Sequence, residues 1–183
     1  ATQLRILKLG GVLESLDVRL KQARDEELAH LEFLQRMVQD EIERREAKKL
    51  EKRLRSASFE GEKTLEGFDF SFNPKIRKSF VSELSTCLFV EKKEHVLIYG
   101  AVGVGKTHIA QALGHQACRK GYDVLYAKTT KLLRGLLASR ADHSWEKRIR
   151  GYLKPDVLIL DDFGLTRMEQ QQQFDLLEII EDR

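Results

Sequence analysis

The sequence predicts an α/β chain, a three-layer αβα domain on a mostly parallel sheet, preceded by a small all-helical domain. Three observations predict it. His95-Val96-Leu97-Ile98-Tyr99 and Val157-Leu158-Ile159-Leu160 are short, apolar and β-branched, as strands buried on both faces should be. A glycine-rich loop joins the first of these runs directly to a segment, Lys106 to Lys120, whose apolar residues Ile109, Ala110, Leu113 and Ala117 fall at helical spacing. The amino-terminal part shows only helical patterning, crowded with charge. At 183 residues, 33% charged and 42% hydrophobic, the chain suffices for one compact α/β domain and a smaller appendage.

Three regions follow: a helical domain over residues 1–57, a linker over 58–72 and an α/β domain over 73–183. Leu4, Leu7, Val12, Leu13, Leu16 and Leu20 mark a first amphipathic segment, with a break or bend expected at Gly10-Gly11. Asp25 is a candidate cap for a longer helix along which Leu28, Leu31, Leu34, Val38, Ile42, Leu50 and Leu54 make a rough stripe. Arg44, Arg45, Lys48, Lys49, Lys52, Arg53 and Arg55 crowd its second half. Glu41, Glu43, Glu46 and Glu51 are interleaved at ion-pair spacing, which favours a solvated, salt-bridged helix over base reading. Ser56-Ala57-Ser58, Gly61 and Gly67 then interrupt the pattern.

In the α/β domain, Asn73 as cap and Pro74 at the first helical position predict a helix with Ile76, Phe80, Leu84 and Leu88 along one face, packed on the sheet. Gly121 ends the helix that follows the glycine loop, and Asp123 to Ala127 is the next strand. Thr129 or Thr130 should cap a helix carrying Leu132, Leu133, Leu136 and Leu137. Thr166 and Glu169 fit a capping box for a last helix running to Arg183. Cys87 and Cys118 are too few for a disulfide framework and each sits in an apolar helical pattern, so both are expected to be buried thiols in a reducing compartment.

Gly100-Ala101-Val102-Gly103-Val104-Gly105-Lys106-Thr107 is a complete phosphate-binding loop, the Walker A pattern. Its glycines let backbone N–H groups close around phosphate oxygens, and the helix it opens presents unpaired amides and a positive dipole end. Lys106 is placed to reach the β- and γ-phosphates and Thr107 to ligate Mg²⁺; with His108, these residues form the candidate nucleotide site. The apolar run ending in Asp161-Asp162 is a Walker B pattern. In a parallel sheet its carboxyl end shares an edge with the phosphate loop, so Asp161 is the candidate metal holder and Asp162 the group that orients or deprotonates the attacking water. Asp162-Phe163-Gly164 spells the kinase D-F-G, but no H-R-D loop accompanies it. Asp161 and Gly164 fit the GTPase D-x-x-G, but Leu165 stands where a water-positioning Gln belongs and no N-K-x-D follows, leaving adenine by elimination.

The run from Val96 to Arg183 resembles the AAA+ ATPases of the IstB and DnaC group. The resemblance rests on Gly103 to Gly114, Ala117-Cys118-Arg119-Lys120-Gly121-Tyr122 and Leu158 to Gly164. Phe68-Asp69-Phe70-Ser71-Phe72-Asn73-Pro74 and the run from Glu32 to Leu54 add to it. It implies a P-loop NTPase of the AAA+ (ASCE) type that binds ATP and Mg²⁺. It further implies a homo-oligomer that assembles on duplex DNA and helps a cognate transposase use its target. IstB-like sequences carry Asp at position 162 where Glu is usual in the wider class, and its shorter reach implies slow hydrolysis. Lys128, Lys131, Arg134, Arg140, Lys147, Arg148 and Arg150 lie where that group faces nucleic acid and are the candidate DNA contacts. The net charge of only +3 means such affinity must come from local patches.

A DnaC-type helicase loader shares this core and would prefer single strands. A small-molecule P-loop kinase would need an arginine-bearing lid, which the sequence lacks. No segment reaches transmembrane length and the amino terminus lacks a secretory pattern, so a cytoplasmic location without membrane partners is expected. In the AAA+ order another strand lies between the two Walker strands, and none is legible here. The 183 residues are therefore expected to be an incomplete account of the folded molecule, through truncation or a partner that completes the sheet. Direct pairing of the Walker strands would instead mean the kinase and GTPase branch.

Overall fold

The computed structural model describes residues 1–183, which divide into two compact units, Ala1–Lys52 and Arg53–Arg183.

The first unit holds α1 (Thr2–Ile6), α2 (Gly10–Asp25) and the greater part of α3 (His30–Ala57). The expected break falls just before Gly10, which opens α2, and Asp25 is the last residue of α2 instead of the cap of α3. The capping group for α2 comes from elsewhere. The buried Glu41 carboxylate of α3 accepts hydrogen bonds from the Gly11 amide (2.5 Å) and the Val12 amide (3.4 Å), satisfying donors that a helix start leaves open. A Cβ at Gly11 would lie 2.7 Å from the Asp40 carbonyl, so only glycine lets the helices approach this closely. Arg45 donates to the other Glu41 oxygen (2.6 Å), and Arg19 pairs with Asp40 (2.6 Å). The expected apolar stripe does not face this packing. Leu31, Leu34, Val38 and Ile42 are all exposed, and the inward face of α3 carries Met37 and Glu41. Ion-paired carboxylates fix the turn of the helix here, because the start of α2 offers amides as well as apolar surface.

In the second unit β1 (Val124–Lys128) and β2 (Val157–Asp161) pair in parallel, Val124 opposite Val157 and Lys128 opposite Asp161. Alternation along the strands sorts their faces. Ala127, Leu158 and Leu160 pack on a core of Leu132, Leu133, Leu136, Ile149, Leu176 and Ile179 from α7 (Thr129–Ala141), α8 (Trp145–Leu153) and α9 (Gln170–Glu181). Ile159 points the other way, onto α6 (Lys106–Arg119) at Gly114, where a Cβ would meet its Cδ1 at 2.7 Å. Beyond α6, Ile109 and Leu113 pack with Val81 of α4 (Lys78–Leu84), backed by Leu65, Phe68, Phe70, Ile76 and Ile98.

Several expectations are corrected. His95 to Tyr99 is not a strand of the sheet: it pairs with neither β1 nor β2, and Leu97 and Tyr99 are 80% and 86% exposed. Its apolar character is that of a sheet-forming segment, but no neighbour supplies a ladder. The two Walker segments therefore do not pair directly, which was the mark of the kinase and GTPase branch. Asn73-Pro74 opens a turn, closed by Asn73 accepting the Lys75 and Ile76 amides, and the helix begins only at Lys78. The expected four-residue stripe is split at Cys87, which has left-handed backbone (φ 61°) and precedes α5 (Leu88–Glu91); Phe80 and Leu88 are exposed. Cys87 thus lies outside a helix, although both thiols are buried; burial pushes that of Cys118 up to about 11. Thr129 is the first residue of α7 and donates to the Asp161 carbonyl instead of capping. The capping box of α9 is Glu169 with Gln172, not Thr166 with Glu169. No helix is long and apolar enough to cross a membrane.

Candidate nucleotide site

The phosphate loop turns where its glycines allow it. Gly103 and Gly105 adopt φ 80° and 95°, a region that side chains avoid, and Gly105 is the cap residue from which α6 starts. Space adds a second constraint at Gly105, since a Cβ there would stand 2.8 Å from the Phe68 ring. The Lys106 ammonium lies inside the loop and donates to the carbonyls of Gly100 (2.9 Å) and Ala101 (2.6 Å). Val102, at the tip, is almost fully exposed, so the loop opens to solvent.

Across from the loop, the end of β2 delivers the Walker B carboxylates. Asp161 lies on the same strand face as Ile159 and so points toward α6, where Thr107 Oγ1 donates to its Oδ1 (3.1 Å). Its Oδ2 accepts the Tyr126 hydroxyl from β1 (2.7 Å). Burial alone would raise the Asp161 pKa, but the Tyr126 hydroxyl, the Asp162 amide and Thr107 outweigh it and hold the carboxyl below its ordinary value. Burial, with the Asp161 carboxylate beside it, pushes the Tyr126 phenol up, so it stays a neutral donor. Asp162 leaves the strand with left-handed backbone (φ 54°), and its carboxylate lies 3.9 Å from Lys128 Nζ. Thr107 and Asp161 place two oxygens together, as a hard cation requires. No cluster of three or more His, Cys, Asp or Glu side chains is present to hold a metal unaided. That donor set fits Mg²⁺, which keeps several waters and shares the rest of its shell with substrate phosphates.

Sequence reasoning missed the contribution of residues 58–72, which lie along α6. Glu60 donates its amide to the buried Gln111 side chain (2.8 Å) and its carboxylate pairs with Lys128 (3.2 Å). His108 does not point at the loop; its Nε2 lies 2.9 Å from the Thr64 carbonyl and its ring stacks edge-on against Phe68. Only the aromatic spacing Phe68-x-Phe70 signalled packing here. Tyr126 was also missed, because a tyrosine in a strand reads as core.

The basic candidates divide. Lys131 and Arg134 on α7, and Lys147 and Arg148 on α8, are exposed. Lys128 is paired with Glu60, Arg150 lies 3.5 Å from Glu146, and Arg140 is held by the buried Asp175 and sits over the Trp145 ring at 4.5 Å. A shallow groove of about 400 Å³ brings Arg134 and Arg167 beside Thr129, Thr166 and Asp162.

A glycine loop around its lysine and a helix-borne threonine meeting a strand-end aspartate define a P-loop NTPase domain. The comparisons agree on the fold. The DnaA protein of Aquifex aeolicus, in an AMPPCP-bound structure, matches with a TM-score of 0.60 and 26% identity over 68% of this chain and 39% of that one. The chain belongs to the family of IstB-like ATP-binding proteins, whose model matches residues 2–183. A relative from Mycobacterium tuberculosis, named as an ATP-binding protein in an insertion sequence, is 49% identical over 98% of this chain and 72% of its own length. The corresponding proteins named for IS1162 of Pseudomonas fluorescens and IS21 of Pseudomonas aeruginosa are 35% and 37% identical, with 79% and 63% of their lengths covered.

Proposed function

We propose that this protein is the ATP-dependent DNA-binding helper of an insertion-sequence transposase: it binds Mg-ATP, assembles as a homo-oligomer on duplex DNA, and assists target use until slow hydrolysis releases it. The meeting of Thr107 and Asp161 at 3.1 Å beside the Lys106 loop carries this reading. When bound, ATP supplies the γ-phosphoryl group and Mg²⁺ neutralises developing charge on the phosphates. Backbone amides from Gly100 to Thr107 cradle the phosphates, and Lys106 exchanges its carbonyl partners for phosphate oxygens. Thr107 and Asp161 hold the metal and its waters. Asp162, at the strand end and outside the ladder, orients the attacking water and accepts its proton. The His108 ring is held at the Thr64 carbonyl, so its part in the nucleotide site falls to its backbone amide at the start of α6.

Lys131, Arg134, Lys147 and Arg148 supply sequence-independent phosphate contacts suited to a protein that works at many targets. The insertion-sequence names of the relatives support a transposase partner over a replicative helicase. Sedimentation with duplex DNA, with and without Mg-ATP, tests the reading, using Lys106→Ala as control. A large complex requiring duplex, ATP and Lys106 is expected. Assembly only on single strands would instead indicate a helicase loader, and a species that stays small under all conditions would rule out assembly on DNA.

A further inference from the structure

Each oxygen of the Asp161 carboxylate is held by a hydroxyl from a different element, Thr107 of α6 on Oδ1 at 3.1 Å and Tyr126 of β1 on Oδ2 at 2.7 Å. The second contact follows from register. Tyr126 lies opposite Ile159 in the parallel ladder, and Asp161 is two residues further along the same face, within reach of a long aromatic side chain. Tyr126 is 5% exposed, so its ring is fixed by the core and the hydroxyl cannot wander. Glu60 Oε2 is a more distant acceptor at 3.4 Å, and its charge is balanced by Lys128 at 3.2 Å, so the single phenol proton belongs to Asp161.

We infer that Tyr126 is a positioning residue for the metal-binding carboxylate: its hydroxyl fixes the rotation of Asp161, so that the free lone pairs of Oδ1 and Oδ2 face the metal and its waters. Thr107 can ligate the metal through a hydroxyl lone pair while its O–H still donates to Oδ1, but it restrains that one oxygen only. Tyr126, fixed in β1 by the core, restrains the other oxygen, and the two hydroxyls together set the rotation of the carboxylate. Partners of this kind, one step removed from the metal, typically account for 10–100-fold in metal affinity.

The inference rests on the proposed Mg-ATP site, and the test separates the two. Binding of a fluorescent ATP analogue to the full chain is titrated first in EDTA and then against Mg²⁺, for the parent, Tyr126→Phe, Asp161→Asn and the double variant. In Tyr126→Phe the affinity in EDTA should stay within about twofold of the parent, while the Mg²⁺ concentration giving half of the metal-dependent gain rises about tenfold. Adding Tyr126→Phe to Asp161→Asn should change nothing further. An unchanged Mg²⁺ midpoint in folded Tyr126→Phe overturns the inference, as does an equal effect in the Asp161→Asn background. Loss of the fold in Tyr126→Phe would assign the hydroxyl to the core and overturn it as well. A parent whose binding is indifferent to Mg²⁺ would remove the metal site itself, and the inference with it.

Discussion

Single residues in this chain often carry a backbone constraint and a contact at once. Gly105 needs its positive φ to start α6, and the absence of a Cβ lets Phe68 close over the loop. Gly105→Ala should therefore destabilise the domain by about 1–3 kcal/mol, measured by denaturant unfolding, with Phe68→Leu in the same chain recovering the steric part but not the backbone part. Arg140 is a similar case. Its guanidinium neutralises Asp175, which is 1% exposed, so Arg140→Ala should cost about 1–3 kcal/mol of stability by leaving a buried carboxylate unpaired. An Arg140→Ala protein that melts normally yet no longer binds DNA would return this residue to the nucleic-acid surface. In the first unit, the Arg19 side chain holds the Asp40 carboxyl at about 2. The folded value is depressed, so the stability it contributes is complete above the unfolded value near 3.9 and is lost as pH falls toward 2. Acid unfolding followed by helical circular dichroism should show this loss, and Asp40→Asn should flatten it.

Elements differ from their sequence signals wherever a neighbour decides the outcome. Helices α6 and α7 were legible because each buries a face of regularly spaced apolar residues, whereas α9 was read from a capping signal that belongs to other residues and α8 was not read. Strand β2 was legible as a short apolar run rich in β-branched residues, and β1 as a short apolar run following the helix-ending Gly121. The equally apolar run at residues 95–99 has no partner, because strand character is realised only through a ladder. Hydrogen exchange should reflect this: the amides of β1 and β2 that lie in their shared ladder are protected, whereas those of residues 95–99 exchange at nearly unfolded rates. Protection across 95–99 in the isolated chain would show that the segment finds a partner. The stripe of α3 was legible as a pattern but not as a direction, because ion pairs and the amide-capping Glu41 set which face turns inward.

For the molecule as a whole, the proposed function turns on having the nucleotide site and a basic surface on one unit. The phosphate loop, Asp161 and Asp162 lie at the carboxyl ends of the strands, and α7, with Lys131 and Arg134, begins at that same edge. Affinity for duplex DNA should fall steeply with salt. Replacing both residues, as Lys131→Ala with Arg134→Ala, should reduce the slope of log K against log salt by about 2, since each DNA phosphate left without its cation removes roughly 0.9. A slope unchanged by both substitutions would move the DNA surface elsewhere.

The sequence by itself determined the chemistry that depends on local spacing. The loop from Gly100 to Thr107 and the strand-end pair Asp161-Asp162 declare themselves, because phosphate cradling and metal holding need particular residues within a few positions of one another. Only the tertiary structure decided which groups surround that chemistry. Tyr126 meets Asp161 through strand register, Glu60 meets Gln111 and Thr64 meets His108 through the packing of residues 58–72 on α6, and Arg140 is claimed by Asp175 across two helices. These pairings join residues dozens of positions apart, and they are set by burial and by the satisfaction of polar groups across the core, which no local pattern encodes.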